Sequence, residues 1–226
     1  MLSTVTNYVY LLILSGSFVC SLIGFRSHQP HLKLFCLLLG LTVATEIFAN
    51  LASGPLAWKT NYPIYNSFML PEYCLYSLFF KAIIRNAKVK RMIDFFLLII
   101  LAAWIITNFG LLKISVWNSY MIIVGDILTI FLAACYLYEF VNADEEVRVS
   151  TSTEFWIAAS IFMYSACEIP ITGRLNYITN DDKVAFWLVF TLDILNIIMF
   201  LTIIYAYRCS RLMTIMSSWW TALRRS

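Results

Sequence analysis

Charge is what this sequence has least of. Asp, Glu, Lys and Arg make up 13% of its 226 residues, against about a quarter in soluble domains. Apolar residues make up 61%. So composed, the chain cannot present an ordinary water-facing surface. At ~20 residues per membrane-spanning helix, the apolar share is enough for roughly seven spans. What remains is shorter than the ~50 residues of a small domain. A built-in kinase, nuclease or nucleotide-binding module is therefore excluded.

Other shortages narrow the chemistry. There are two histidines, His28 and His31, and neither lies in an apolar run. A membrane zinc hydrolase of the three-histidine type would have no ligands, and an H-x-x-H pair without third and fourth partners reads as structural. The seven glycines are scattered, so no phosphate-binding loop is expected. No serine has a histidine relay inside the membrane. The last apolar run lacks the lysine of a retinal Schiff base and the Asn-Pro-x-x-Tyr of eukaryotic G-protein-coupled receptors. No cofactor, metal site or nucleic-acid partner is expected. The six cysteines fall within apolar runs or near the inner loops, where sulfur packs as a small apolar group.

Long uncharged stretches are abundant. Met1–Phe25 and Phe95–Leu112 carry no charge. Leu34–Trp58, Thr60–Phe80, Ile114–Tyr138, Phe155–Gly173 and Val184–Tyr207 each tolerate one acid, respectively Glu46, Glu72, Asp126, Glu168 and Asp193. These runs are apolar on nearly all sides, unlike barrel strands, and helices satisfy their backbone internally. The fold class expected is all-α, a seven-transmembrane-helix bundle. Residues 1–207 form this single membrane domain. Met1–Asn7 has no Lys or Arg and no small-x-small cleavage site follows, so the first helix is read as retained.

Alternating loops divide the 16 Lys and Arg residues as twelve against four. The positive-inside rule places the richer side, including Lys81–Arg91, in the cytoplasm. The N-terminus is then outside, the C-terminus cytoplasmic, and the setting a plasma (inner) membrane. The inner loop Val141–Glu154 carries Asp144, Glu145 and Glu146. Residues 208–226 read as a basic amphipathic tail lying on the inner bilayer surface, with Leu212, Met213, Met216, Trp219, Trp220 and Leu223 on one broad face.

The intramembrane carboxylates carry the functional signal. Each costs ~2.5–3.5 kcal/mol to insert, and no Lys, Arg or His lies in a span to pair with it. Each belongs to a polar stripe at helical spacing: Thr42, Glu46 and Asn50; Tyr65, Glu72 and Tyr76; Ser119, Asp126 and Thr129; Ser160, Tyr164, Glu168 and Thr172; Asp193 and Asn196. The fourth helix has almost nothing polar before Thr107 and Asn108, which places it at the lipid-facing rim. At 1.5 Å per residue, Glu168 lies ~6 Å from the outer end of its run and Asp126 ~18 Å, with the others between. One outward-facing pocket lined by helices 2, 3, 5, 6 and 7 is expected. Its binding residues are Glu46, Asn50, Tyr65, Glu72, Tyr76, Asp126, Tyr164, Glu168, Asp193 and Asn196. A cationic or amphiphilic small ligand would suit carboxylates and ring faces. The alternative is that single acids bonded to Tyr, Thr or Asn simply hold helices together.

Three resemblances attach to these residues. Tyr65-Asn66-Ser67, Glu72-Tyr73, Leu75-Tyr76, Phe155-Trp156-Ile157 and Ile194-Leu195-Asn196-Ile197-Ile198 together resemble a group of bacterial seven-helix inner-membrane proteins with no established activity. The plan is also similar to that of SWEET-type sugar transporters, whose 3+1+3 repeat would make helices 2–3 echo helices 6–7. However, the first run has no acid matching Asp126, and the first and fifth runs have no proline. Gly125-Asp126 is similar to lysoplasmalogenase-like membrane proteins, but their Lys-Pro signature is missing. The leading expectation is a sensor- or receptor-like binding protein whose output needs a cytoplasmic signalling partner. A proton-coupled small-solute transporter is the alternative, followed by a membrane-embedded lipid hydrolase.

Overall fold

A computed structural model describes the backbone of residues 2–143, 152–175 and 182–223, and the side chains of 5–143, 152–175 and 183–208. Among the described residues there are seven α-helices and no strand. They are α1 (Leu2–Leu22), α2 (Pro30–Ser53), α3 (Tyr62–Ile83), α4 (Ala87–Ile105), α5 (Ser119–Val141), α6 (Thr153–Leu175) and α7 (Asp182–Leu223). Six of them contain stretches long and apolar enough to cross a membrane. α3, 22 residues long, is the seventh. The chain is thus a multi-pass membrane bundle.

Local chemistry sets the helix ends. Gly24, in the left-handed region at φ 84°, turns the chain out of α1, a conformation that side chains with a Cβ resist. Pro30 opens α2, where its missing N–H costs nothing. Asn86 and Asn118 cap α4 and α5 by accepting from the backbone N–H groups of Lys88 and Met121. Ser152 Oγ does the same for α6, accepting from the Phe155 N–H at 3.2 Å.

These caps move several boundaries from the sequence expectation. α4 begins at Ala87 rather than Phe95, so Lys88, Lys90, Arg91 and Asp94 lie in its first turns, where Asp94 pairs with Lys81. α5 begins at Ser119 rather than Ile114, because Ile114 and Val116 turn their carbonyls to the Asn66 amide instead. The α7 backbone stays helical past residue 207 to Leu223. The apolar face expected for the tail, and the acids at 144–146, lie outside the described side chains.

The helices close a ring. α1 packs on α2, α2 on α3, α3 on α5, α5 on α6, α6 on α7, and α7 back on α1. α4 sits outside this ring, in the groove between α3 and α5. Its Ile93 and Ile100 are buried against the bundle, while Phe95, Leu98, Leu101 and Ile105 are exposed. An exposed apolar stripe of this kind faces lipid in a membrane bundle. Because helices consecutive in the chain run antiparallel, the starts of α1, α3, α5 and α7 share one end of the bundle with the finish of α2 and α6. We call it the N-terminal end, and the opposite one, where Lys81–Arg91 lies, the basic end.

Candidate functional site

The corrected helix ends bring the acids closer to one level. Glu46, Asp126 and Glu168 each stand seven residues from their helix end at the N-terminal side, about 10 Å at 1.5 Å per residue. Asp126 is thus shallower than its apolar run suggests. Glu72 and Asp193 stand about 15–17 Å down.

Glu46 is clamped from two sides. Tyr10 of α1 donates to its Oε1 and Tyr65 of α3 to its Oε2, both at 3.0 Å. Asp193 of α7 lies within electrostatic reach of Glu46 and pairs with Thr6 of α1. Glu72 stands between this group and a second one, within electrostatic reach of both Glu46 and Glu168. In that second group Asp126, 2% exposed, accepts at Oδ1 from Ser165 at 2.9 Å and from Tyr73 at 3.4 Å. The Tyr73 hydroxyl also reaches the Ile122 carbonyl at 3.2 Å. Glu168 lies within hydrogen-bonding reach of Tyr164 and Asp126. Tyr76 is buried beside Tyr73, with ring centroids 6.5 Å apart.

Eight of the ten residues singled out by sequence therefore fall in one connected group. Asn50 does not join it: it is exposed, and its amide donates to the Glu46 carbonyl of its own helix. Asn196 is half-buried on α7, one turn beyond Asp193, and is not drawn into the carboxylate contacts. The structure adds three residues that sequence reasoning passes over: Tyr10, Tyr73 and Ser165. Tyr10 shares its charge-free first run with Tyr8, Ser15 and Ser17, so nothing in the sequence singles it out. Tyr73 is placed by Gly125, where any Cβ would stand 2.3 Å from the Tyr73 ring. That close approach lets the ring cross α5 and reach Asp126.

Beneath the acids lies an apolar plug. Leu14, Leu39, Phe79, Leu132, Ile161 and Phe200 come one from each helix of the ring, and all are 0–4% exposed. Counted from the N-terminal end they lie about 18–27 Å down. Carboxylates sit above this layer and none within it.

Below the plug is a second polar region that the sequence does not announce. His31 of α2 pairs with Glu154 of α6 at 2.8 Å, Tyr207 of α7 donates to the Leu32 carbonyl at 3.3 Å, and Thr153 donates to the Ala206 carbonyl. Glu139 of α5 accepts from the backbone N–H groups of Arg85 and Asn86 at 2.6 and 3.0 Å. His31, Glu139 and Glu154, with Gln29, Arg85, Tyr136 and Ser152, line a pocket of about 410 Å³. His28 bonds the Ser21 carbonyl instead of joining His31, so the two histidines do not act as a pair. Among the described residues no cluster of three His, Cys, Asp or Glu has the arrangement to hold a metal ion.

An amide knot fixes the α3 wall of the site. Asn66, fully buried, donates to the Ile114 and Val116 carbonyls at 2.7 Å each and accepts from the Asn118 N–H at 3.3 Å. Asn118 donates to Thr107 at 2.7 Å, and Trp104 to the Asn66 carbonyl at 2.6 Å. Thr107 and Asn108 lie in a π-helical turn, Ile106–Leu111, that ends α4. Such turns widen the backbone ladder and are found mostly as single-turn insertions. Here the turn brings Thr107 onto Asn118.

No family model, curated protein or solved structure matches the chain.

Proposed function

We propose that this membrane bundle is a binding protein of the sensor or receptor kind, holding a cationic or amphiphilic ligand in a carboxylate-lined chamber at its N-terminal end. The observation that carries the reading is the convergence of acids and tyrosine hydroxyls from six helices above a buried apolar layer. Intramembrane acids without basic partners are costly. Collecting five on separate helices is more than helix association requires, since a hydroxyl or amide serves that purpose more cheaply. Glu46, Glu72, Glu168 and Asp193 keep some accessible surface, and the neighbouring tyrosines offer ring faces to a cation. In this reading the N-terminal end faces outward, the basic end faces the cytoplasm of a bacterial-type inner membrane, and a signalling partner docks on the basic turn at 85–91 or on the tail.

The plug supports binding over passage, because a transported solute would have to cross a layer of six buried apolar side chains. One observation favours the alternative of proton-coupled transport. Pro71 and Pro170 lie inside α3 and α6, each within two residues of an acid, and each leaves a helix carbonyl without its usual partner. The test is equilibrium dialysis of tetraphenylphosphonium against the purified protein, and uptake of the same cation by reconstituted vesicles. Saturable binding without uptake is expected. Glu46→Gln and Glu72→Gln should each weaken binding about tenfold or more, since one charge-assisted contact is worth ~1.5–3 kcal/mol. Binding unaffected by both variants would refute the chamber. Uptake driven by a proton gradient would replace the sensor with a transporter.

A further inference from the structure

The Asp126 side chain has an unsolved hydrogen-bond account. Oδ1 accepts from Ser165 and Tyr73. Oδ2 is sealed from solvent and meets no donor among the described residues. A carboxylate oxygen buried without a partner is expensive anywhere and most of all inside a bilayer. The groups facing it are Glu72, Tyr73 and Tyr76 from α3, and Tyr164, Ser165 and Glu168 from α6. α4, the remaining neighbour of α5 outside the ring, carries its charged residues only in its basic-end turns. No cation is among these groups. The Ser165 hydroxyl is already spent on Oδ1, and the single Tyr73 proton is shared between Oδ1 and the Ile122 carbonyl.

The Glu168 carboxyl, within hydrogen-bonding reach of Asp126, is the remaining candidate. Two ionised carboxylates cannot hydrogen-bond, because neither has a donor. A single proton placed between them turns one into a donor and the other into its acceptor, and completes the account at Oδ2.

We infer that Asp126 and Glu168 together bind one proton, and that a cation entering the chamber is exchanged for it. The O–H bond of the pair breaks as the cation arrives, and the proton leaves through the half-buried Glu168 and Glu72 to water at the N-terminal end. The pair gains one negative charge, which the cation neutralises, so the net charge of the site is unchanged. The exchange rests on the cation-binding reading of the chamber; the proton site itself does not.

Two measurements test this. Infrared spectra of the purified protein at neutral pH should contain the carbonyl stretch of a protonated carboxylic acid. Asp126→Asn replaces the shared O–H with amide N–H donors and keeps an acceptor for Ser165, so part of that band should vanish. Glu168→Gln should remove the same part, which keeps the test alive if one variant does not fold. A band unchanged in both variants overturns the proton site. Calorimetric titration with tetraphenylphosphonium in two buffers of different ionisation enthalpy counts protons. One proton released per cation bound by the natural protein, and none by Asp126→Asn, is the expected result. Binding with no proton released, or equal release from Asp126→Asn, overturns the exchange. No binding at all, with the infrared difference intact, overturns the cation chamber and the exchange while the proton site stands.

Discussion

Gly125→Ala isolates a single close approach. The added methyl would lie 2.3–2.5 Å from three atoms of the Tyr73 ring, where carbon contacts settle near 3.5–4.0 Å. The ring must retreat by roughly 1.2 Å or α5 must move away from α3. Tyr73 is 5% exposed, so there is no solvent to retreat into. Overpacking of this kind costs about 1–3 kcal/mol. The retreat also stretches the Tyr73 bonds to the Ile122 carbonyl and Asp126, already 3.2 and 3.4 Å, which adds about 1 kcal/mol. Alanine returns up to ~1 kcal/mol through its better helix propensity. A net loss of about 1–3 kcal/mol remains. Gly173→Ala in α6 is the matched control, because a Cβ there meets nothing within 4 Å and only the propensity gain applies. Reversible unfolding in mixed micelles with increasing dodecyl sulfate reads the difference. Tyr73→Val in the Gly125→Ala background should relieve the clash, giving a coupling term opposite in sign to the single losses. If Gly125→Ala is as stable as Gly173→Ala, the α3–α5 contact is not set by Tyr73 lying on Gly125, and the geometry drawn for Asp126 fails with it.

Three other outcomes are expected. Asn66→Ala strips the Ile114 and Val116 carbonyls and the Asn118 N–H of their partner, and should cost about 2–4 kcal/mol in the same unfolding assay, as orphaned buried groups do. Leu98→Ala on the exposed face of α4 should change stability by less than about 0.5 kcal/mol, while Ile100→Ala, 1% exposed, should cost about 2–5 kcal/mol; equal effects would contradict the rim position of α4. Single cysteines at 55–60 should be labelled by a membrane-impermeant maleimide in intact cells and those at 86–89 only after permeabilisation, the reverse pattern inverting the proposed orientation.

Much of this was legible because the bilayer is a strict solvent. Seven apolar runs translate into seven helices once lipid has forbidden an unsatisfied backbone, and the bare Leu98-to-Ile105 surface marks α4 as peripheral. The acids at 46, 72, 126, 168 and 193 stand out for the same reason, since nothing but burial against other polar groups makes them tolerable. Partner choice was not legible. That Tyr10 clamps Glu46 depends on α1 lying beside α2, and that Tyr73, not the stripe partner Tyr76, reaches Asp126 depends on α3 meeting α5 past an excluded α4. Helix starts were readable but missed. Asn86, Asn118 and Ser152 are ordinary N-cap residues, and using them would have placed Asp126 at the level of Glu46 and Glu168. Asn50 stays out of the carboxylate contacts for a local reason: at i+4 from Glu46 it shares the acid's stripe, yet near the helix end its amide finds the carbonyl one turn back.

The Glu139 carboxylate gives α5 a mechanical role. It holds the backbone of Arg85 and Asn86 at one end of α5, whose opposite third carries Asp126. Thirteen residues, about 20 Å, separate the two acids along a rod that bends little over three or four turns. The elbow between α3 and α4 is therefore tied to α5 as well as to the two helices it joins. A displacement of α5 along its axis would therefore be felt at the turn from which Arg85, Lys88, Lys90 and Arg91 project, although the apolar plug lies between.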